Sequence, residues 1–169
     1  DWIGARQLFM LAHNKPEGHG LPSDWETVPR RWLAYLQANP PHALSWLREK
    51  CDDAMLKWVD AVGLSRHERW QWMADLVDIY QQYRTNDDRC KELATQLLAQ
   101  QQQVLGPEHL DTLTSMGNLA STLQAMGKLP AARAMQEQVL AARQRVQGTE
   151  HPATLTSMNN LASTLRAMG

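Results

Sequence analysis

Asn118 and Asn160 each stand directly before Leu-Ala in two near-copies of one segment. A carboxamide offers both a donor and an acceptor, the pair of functions that matches a peptide group. Residues at helical spacing around the first amide are polar but mostly small: Thr114, Gly117, Ser121 and Gln124. The second amide has Thr156, Asn159, Ser163 and Arg166 in the same places. On residue chemistry alone, either amide serves equally well to hold a neighbouring helix.

Other reactive groups point to less. His13, His19, His42, His67, His109 and His151 include no close pair and no acidic partner at ligand spacing, so no metal site is expected. His109 and His151 recur because a turn recurs, and a hydrogen bond at the start of the following helix is their expected role. Asp52 and Asp53 in "EKCDDAM" would point about 100° apart on a helix, which suits a solvated face better than a paired-acid site. Gln100 to Gln103 form a "QQQQ" run inside a helical pattern and are expected on a solvated helix face. Cys51 and Cys90 make no disulfide framework and are expected as buried free thiols in a reducing, cytoplasmic setting. No Ser-His-Asp order, phosphate-binding glycine loop or zinc signature occurs, so neither catalysis nor a cofactor is expected.

The balance of charge, a formal −1 at neutral pH, gives no basic surface for nucleic acid. No apolar run is long enough to span a bilayer, and "DWIGARQLFMLAHN" lacks the basic leader and clean apolar core of a signal peptide. All seven tryptophans lie between Trp2 and Trp72, and Tyr83 is the last aromatic residue. From Arg84 onward the core must be built from Leu, Met, Val and Ala.

The elements that position the amides follow from periodicity. "GPEHLDTLTSMGNLASTLQAMG" (Gly106 to Gly127) returns as "GTEHPATLTSMNNLASTLRAMG" (Gly148 to Gly169), shifted by 42 residues and changed at five positions. Leu113, Met116, Ala120 and Leu123 form one apolar helical stripe, widened by Leu119, and Gly127 ends the helix as a left-handed cap. Pro130 suits the first turn of a second helix. Its stripe is Ala132, Met135, Val139, Ala142 and Val146, and Gly148 ends it. A lone helical hairpin cannot bury its apolar face, whereas stacked copies can. One period upstream, Trp72 to Gly106 reads as a degenerate first copy. Its stripes are Met73, Leu76, Val77, Tyr80 and Tyr83, then Leu93, Leu97 and Val104, with a turn one residue longer. The fold class is all-α, a helical-hairpin solenoid preceded by a small helical bundle. The division is 1–65 for the bundle and 66–169 for the array, with units at 66–106, 107–148 and an incomplete 149–169.

The repeated "GPEHLDTLTSMGNLASTL" and "GTEHPATLTSMNNLASTL", with their Gly-x-Glu-His turn and Asn-Leu-Ala core, resemble tetratricopeptide repeats of the kinesin-light-chain type. Gln136 departs from the pattern, standing where that family packs an aromatic or large apolar residue. The resemblance implies a protein-interaction scaffold whose first helices line a concave groove, with an Asn bonding the backbone of a bound peptide. It places Thr114, Gly117, Asn118, Ser121, Gln124, Thr156, Asn159, Asn160, Ser163 and Arg166 on that groove. Arg166 is the one cation among them, too little for a multi-cation carboxylate clamp. The alternative is a sensor or oligomerisation arm of a larger signalling protein, such as a nucleotide-switch NTPase or an effector. Both ends of the chain read as cut ends. The last helix would expose Leu155, Met158, Ala162 and Leu165 beside Leu161, and self-association through that face is expected.

Overall fold

The computed structural model describes residues 65–83 and 87–169. Expectations that fall on residues 1–64 and 84–86, including the N-terminal bundle and Cys51, lie outside the described residues. Within them are five helices and no strand: α1 (Arg66–Tyr83), α2 (Asp87–Leu105), α3 (Leu110–Ala125), α4 (Leu129–Gln147) and α5 (Pro152–Ala167). The chain divides into two compact units, Asp1–Ile79 and Tyr80–Gly169.

In the first unit α1 begins with a reciprocal cap. The Ser65 backbone N–H donates to the Glu68 carboxylate at 3.0 Å, and the Glu68 N–H donates back to Ser65 Oγ at 3.3 Å. Two otherwise unpaired donors are satisfied at once. Trp70, Trp72, Met73, Leu76 and Val77 are all buried, so this helix is covered on more than one face.

In the second unit α2 packs on α3, α3 on α4, α4 on α5, and α3 also meets α5. This is a stack of helical hairpins. The α3 stripe is interior as its spacing predicts: Leu113, Met116, Leu119, Ala120 and Leu123 are buried, Leu113 to 1% exposure. Each such leucine contributes about 1.5–3 kcal/mol through burial. On α4, Ala132, Val139 and Ala142 are buried and Met135 is half-buried.

Two expectations need correction. Val104 and Val146 are 48% and 47% exposed, not interior. Each sits in the last turn of a second helix, where the chain is leaving its neighbour for the glycine turn. The inward position on α2 falls instead to Gln101, which is buried although it belongs to the glutamine run assigned to solvent. Gln102 and Gln103 are exposed.

The turns explain why the sequence repeats so closely there. Gly127 has φ +74°; its N–H donates to Gln124 O and the Lys128 N–H donates to Leu123 O. Together these close the α3 C-terminus in a Schellman motif. At the other end, His109 Nδ1 accepts from the Asp111 N–H at 3.2 Å, and His151 Nδ1 accepts from the Ala153 N–H at 3.1 Å. The recurring histidines are therefore helix caps. His151→Ala should cost about 1 kcal/mol in a urea melt, and His151→Asn, which keeps an acceptor, should recover most of that loss.

Candidate functional site

The amide-bearing rows of α3 and α5 are brought side by side by polar bridges at both ends. Near the C-terminal end, Gln124 Nε2 of α3 donates to Ser163 Oγ of α5 at 3.2 Å. Near the N-terminal end, the Arg143 guanidinium of α4 reaches both helices. Its Nη1 donates to Ala153 O at 2.8 Å and Ser157 Oγ at 3.1 Å, and its Nη2 donates to Thr114 Oγ1 at 3.4 Å. Arg143 is half-buried, and desolvation lowers its pKa from the ordinary arginine value. It has no ion-pair partner among the described residues, unlike Arg133, paired with Glu137, or Arg145, paired with Glu108.

The rows differ in how much they leave open. On α3, Thr114 is exposed, while Gly117, Asn118, Ser121 and Gln124 are half-buried. Thr114 Oγ1 donates to Leu110 O and Ser121 Oγ donates to Gly117 O. The Asn118 backbone carbonyl accepts from Gln81 Nε2 at 2.6 Å and from Thr122 Oγ1 at 3.1 Å. On α5, Thr156, Asn159, Ser163 and Arg166 are exposed and Asn160 is half-buried. Thr156 Oγ1 donates to Pro152 O.

Gly117 contributes space. A Cβ placed there would meet nothing within 4 Å, and its backbone is ordinary helix. A glycine inside a helix costs about 0.8–1.0 kcal/mol relative to alanine. Gly117→Ala should therefore stabilise the chain by roughly 0.5–1 kcal/mol in a chemical melt, with no change in helicity.

Arg143 and Gln136 take part in this arrangement more than periodicity alone suggests. Arg143 follows the inward-facing Ala142 and has no acidic residue three or four positions away, a signal of a cation aimed at something other than a surface pair. Gln136 is 4% exposed. Its Nε2 donates to Gln124 Oε1 at 3.5 Å, while its own Oε1 is buried without a partner. The amide thus backs the Gln124 side chain from below. Thr122 and Thr164 show how such contacts depend on small sequence changes. Thr122 Oγ1 is met by Gln81 and lies 3.5 Å from Cys90 Sγ, whereas the Thr164 hydroxyl is buried and unpartnered. One period on from Gln81 and Cys90 stand Leu123 and Ala132, neither with a polar side-chain atom to offer.

Among the described residues, no group of three His, Cys, Asp or Glu could hold a metal ion. No helix there is long and apolar enough to cross a membrane. Cys90 is buried and in no disulfide.

Stacked helical hairpins with a polar row shared by successive first helices define a repeat protein of the interaction-scaffold class. The family model for the tetratricopeptide repeat matches residues 72–145 and 118–169, together more than half of the chain, and the chain belongs to that family. Such repeats generally mediate protein–protein interaction, and the fold is typically a non-enzymatic scaffold. None of the curated proteins compared with the chain matches it.

Proposed function

We propose that this chain is a non-catalytic scaffold that binds a segment of another protein across the polar rows of α3 and α5. The observation that carries this reading is the Gln124–Ser163 bridge, which joins one member of each row on adjacent first helices. Around it lie small side chains and the amides of Asn118 and Asn160, chemistry suited to an extended peptide backbone. We assign the repeats to the kinesin-light-chain type with a 42-residue period. Support comes from the two Gly-x-Glu-His turns, whose histidines cap α3 and α5. The array on this reading starts with α1, behind the cap at Ser65, and the buried thiol of Cys90 suits the reducing cytoplasm.

A steric block tests the surface. Peptides selected from a random display library on the whole chain should lose at least about tenfold in affinity, roughly 1.4 kcal/mol, on Gly117→Trp. They should be unaffected by Gln138→Trp on the exposed side of α4. Selected peptides that bind both variants like the parent would place the site elsewhere.

A second reading rests on α5. Its stripe repeats that of α3, yet Leu155 is 47% exposed and Leu165 and Ala162 are exposed. On α3 the same residues are covered, with α4 packed beside them. Self-association through this face would show as a dimer or larger species in light scattering at micromolar concentration. Leu155→Glu with Leu165→Glu should then return the chain to monomer, and a parent chain that is monomeric throughout would remove the reading.

A further inference from the structure

On α2, α3 and α4 the large apolar residues left exposed are Val104, Leu110 and Val146, at 48%, 46% and 47%. Single exposed apolar residues are ordinary on a protein surface, but these three share one end of the stack. Val104 lies in the last turn of α2 and Leu110 opens α3, on either side of the Gly106 turn. Arg143 Nη2 donates to Thr114 Oγ1 at 3.4 Å and Arg145 donates to Glu108, so the last turn of α4 lies against the start of α3. Val146 therefore comes to the same turn. Val104 is followed by a complete hairpin, α3 and α4, and is as exposed as Val146, so exposure belongs to this register of the repeat. Leu110 and Asp111 are not needed to build the turn. In the second copy Pro152 and Ala153 stand in their places, and His151 caps α5 equally well, accepting from the Ala153 N–H at 3.1 Å.

The charge beside these residues is unbalanced. Glu108, Asp111 and Glu150 are exposed in the turns at this end of the second unit, and the exposed cation among them, Arg145, is already held by Glu108. Asp111 Oδ2 stands 3.8 Å from His109 Nδ1, but that nitrogen accepts from the Asp111 N–H and so carries no proton to offer the carboxylate. We infer that the turn end of α2, α3 and α4 is a second docking surface, taking an amphipathic segment of another protein that carries apolar residues together with Lys or Arg. Val104, Leu110 and Val146 supply the apolar contact, and the carboxylates of Asp111 and Glu150 supply the complementary charge. The surface is separate from the polar rows and does not depend on the reading given above for them.

Two synthetic helical peptides with the same leucine stripe test this, one with Lys and the other with Glu on its polar face. Each is titrated into the labelled whole chain. The Lys peptide should saturably shift the backbone amides of Val104, Leu110, Asp111 and Val146, and the Glu peptide should bind at least about tenfold more weakly. Leu110→Gln with Val146→Gln should weaken the Lys peptide about tenfold. Asp111→Asn with Glu150→Gln should also weaken it and should remove most of the salt dependence of its binding. All four side chains are exposed, so these variants should keep the helicity of the parent. Gly117→Trp, on the polar row, should leave the binding unchanged. No saturable binding, equal binding of the two peptides, or shifts that leave the turn end unmoved would overturn the inference. So would a Lys peptide that the Leu110→Gln and Val146→Gln chain binds like the parent, or one that Gly117→Trp displaces. None of those outcomes bears on peptides held by the polar rows.

Discussion

Leu119→Ala should lower the unfolding free energy by about 2–5 kcal/mol. Leu119 is buried, as are Leu113, Met116, Ala120 and Leu123 of the same stripe, and a close-packed interior refills lost volume only in part. The repeat makes the matching residue an internal control. Leu161 has the same identity and the same local sequence but is only half-buried, so Leu161→Ala should cost clearly less. From sequence the two leucines look alike; in the structure Leu119 is buried and Leu161 is half-buried. Urea melts of the two variants decide the matter. Equal losses would mean that burial does not govern these positions. Ser121→Ala, on the polar row, should cost under about 0.5 kcal/mol and gives the baseline.

Gly148→Ala should cost about 1–3 kcal/mol for a different reason. Gly148 has φ 89° and ψ 164°, a region of backbone space that is essentially closed to residues with a Cβ. A Cβ there would touch nothing within 4 Å, so the cost is backbone strain and not a clash. Gly106, at φ +90°, shares the positive φ one period earlier and should also lose stability on substitution by alanine. The sign should reverse at Gly117, where the helix is regular and alanine should stabilise. A chain in which all three changes move stability the same way would show that the backbone assignment at the turns is wrong.

Much of this fold can be read from the sequence because the same physical devices occur twice. The α3 stripe at steps of three and four, the glycine at each helix end and the proline in the first turn of α4 all mark features that the structure contains. The histidine caps were legible for the same reason: a residue that recurs with a turn is serving the turn. What periodicity could not decide was depth. Val104 and Val146 continue apolar stripes and yet lie exposed, because a stripe records direction around a helix and not distance from its neighbour. Gln101 shows the converse, a polar residue buried because the inward direction happened to fall on it. The polar rows were readable as rows. Their bonds were not, since a bridge such as Gln124–Ser163 spans residues 39 apart and depends on two helices meeting. The partners of Arg143 are hidden in the sequence for the same reason: its three acceptors lie on α3 and α5, and only the packed helices bring them within reach of one guanidinium.

The claim that the α3 and α5 rows form the binding surface is tested most directly by amide chemical-shift mapping. A labelled chain would be titrated with one peptide selected from the random library. The largest shifts should appear at Gly117, Asn118, Asn159, Asn160, Ser163 and Arg166, along with the side-chain amides of the two neighbouring asparagines on α5. The exposed residues of α4, Gln138 among them, should be still. Saturable shifts concentrated on α4 or at the helix-capping turns, with the two rows unmoved, would contradict the account.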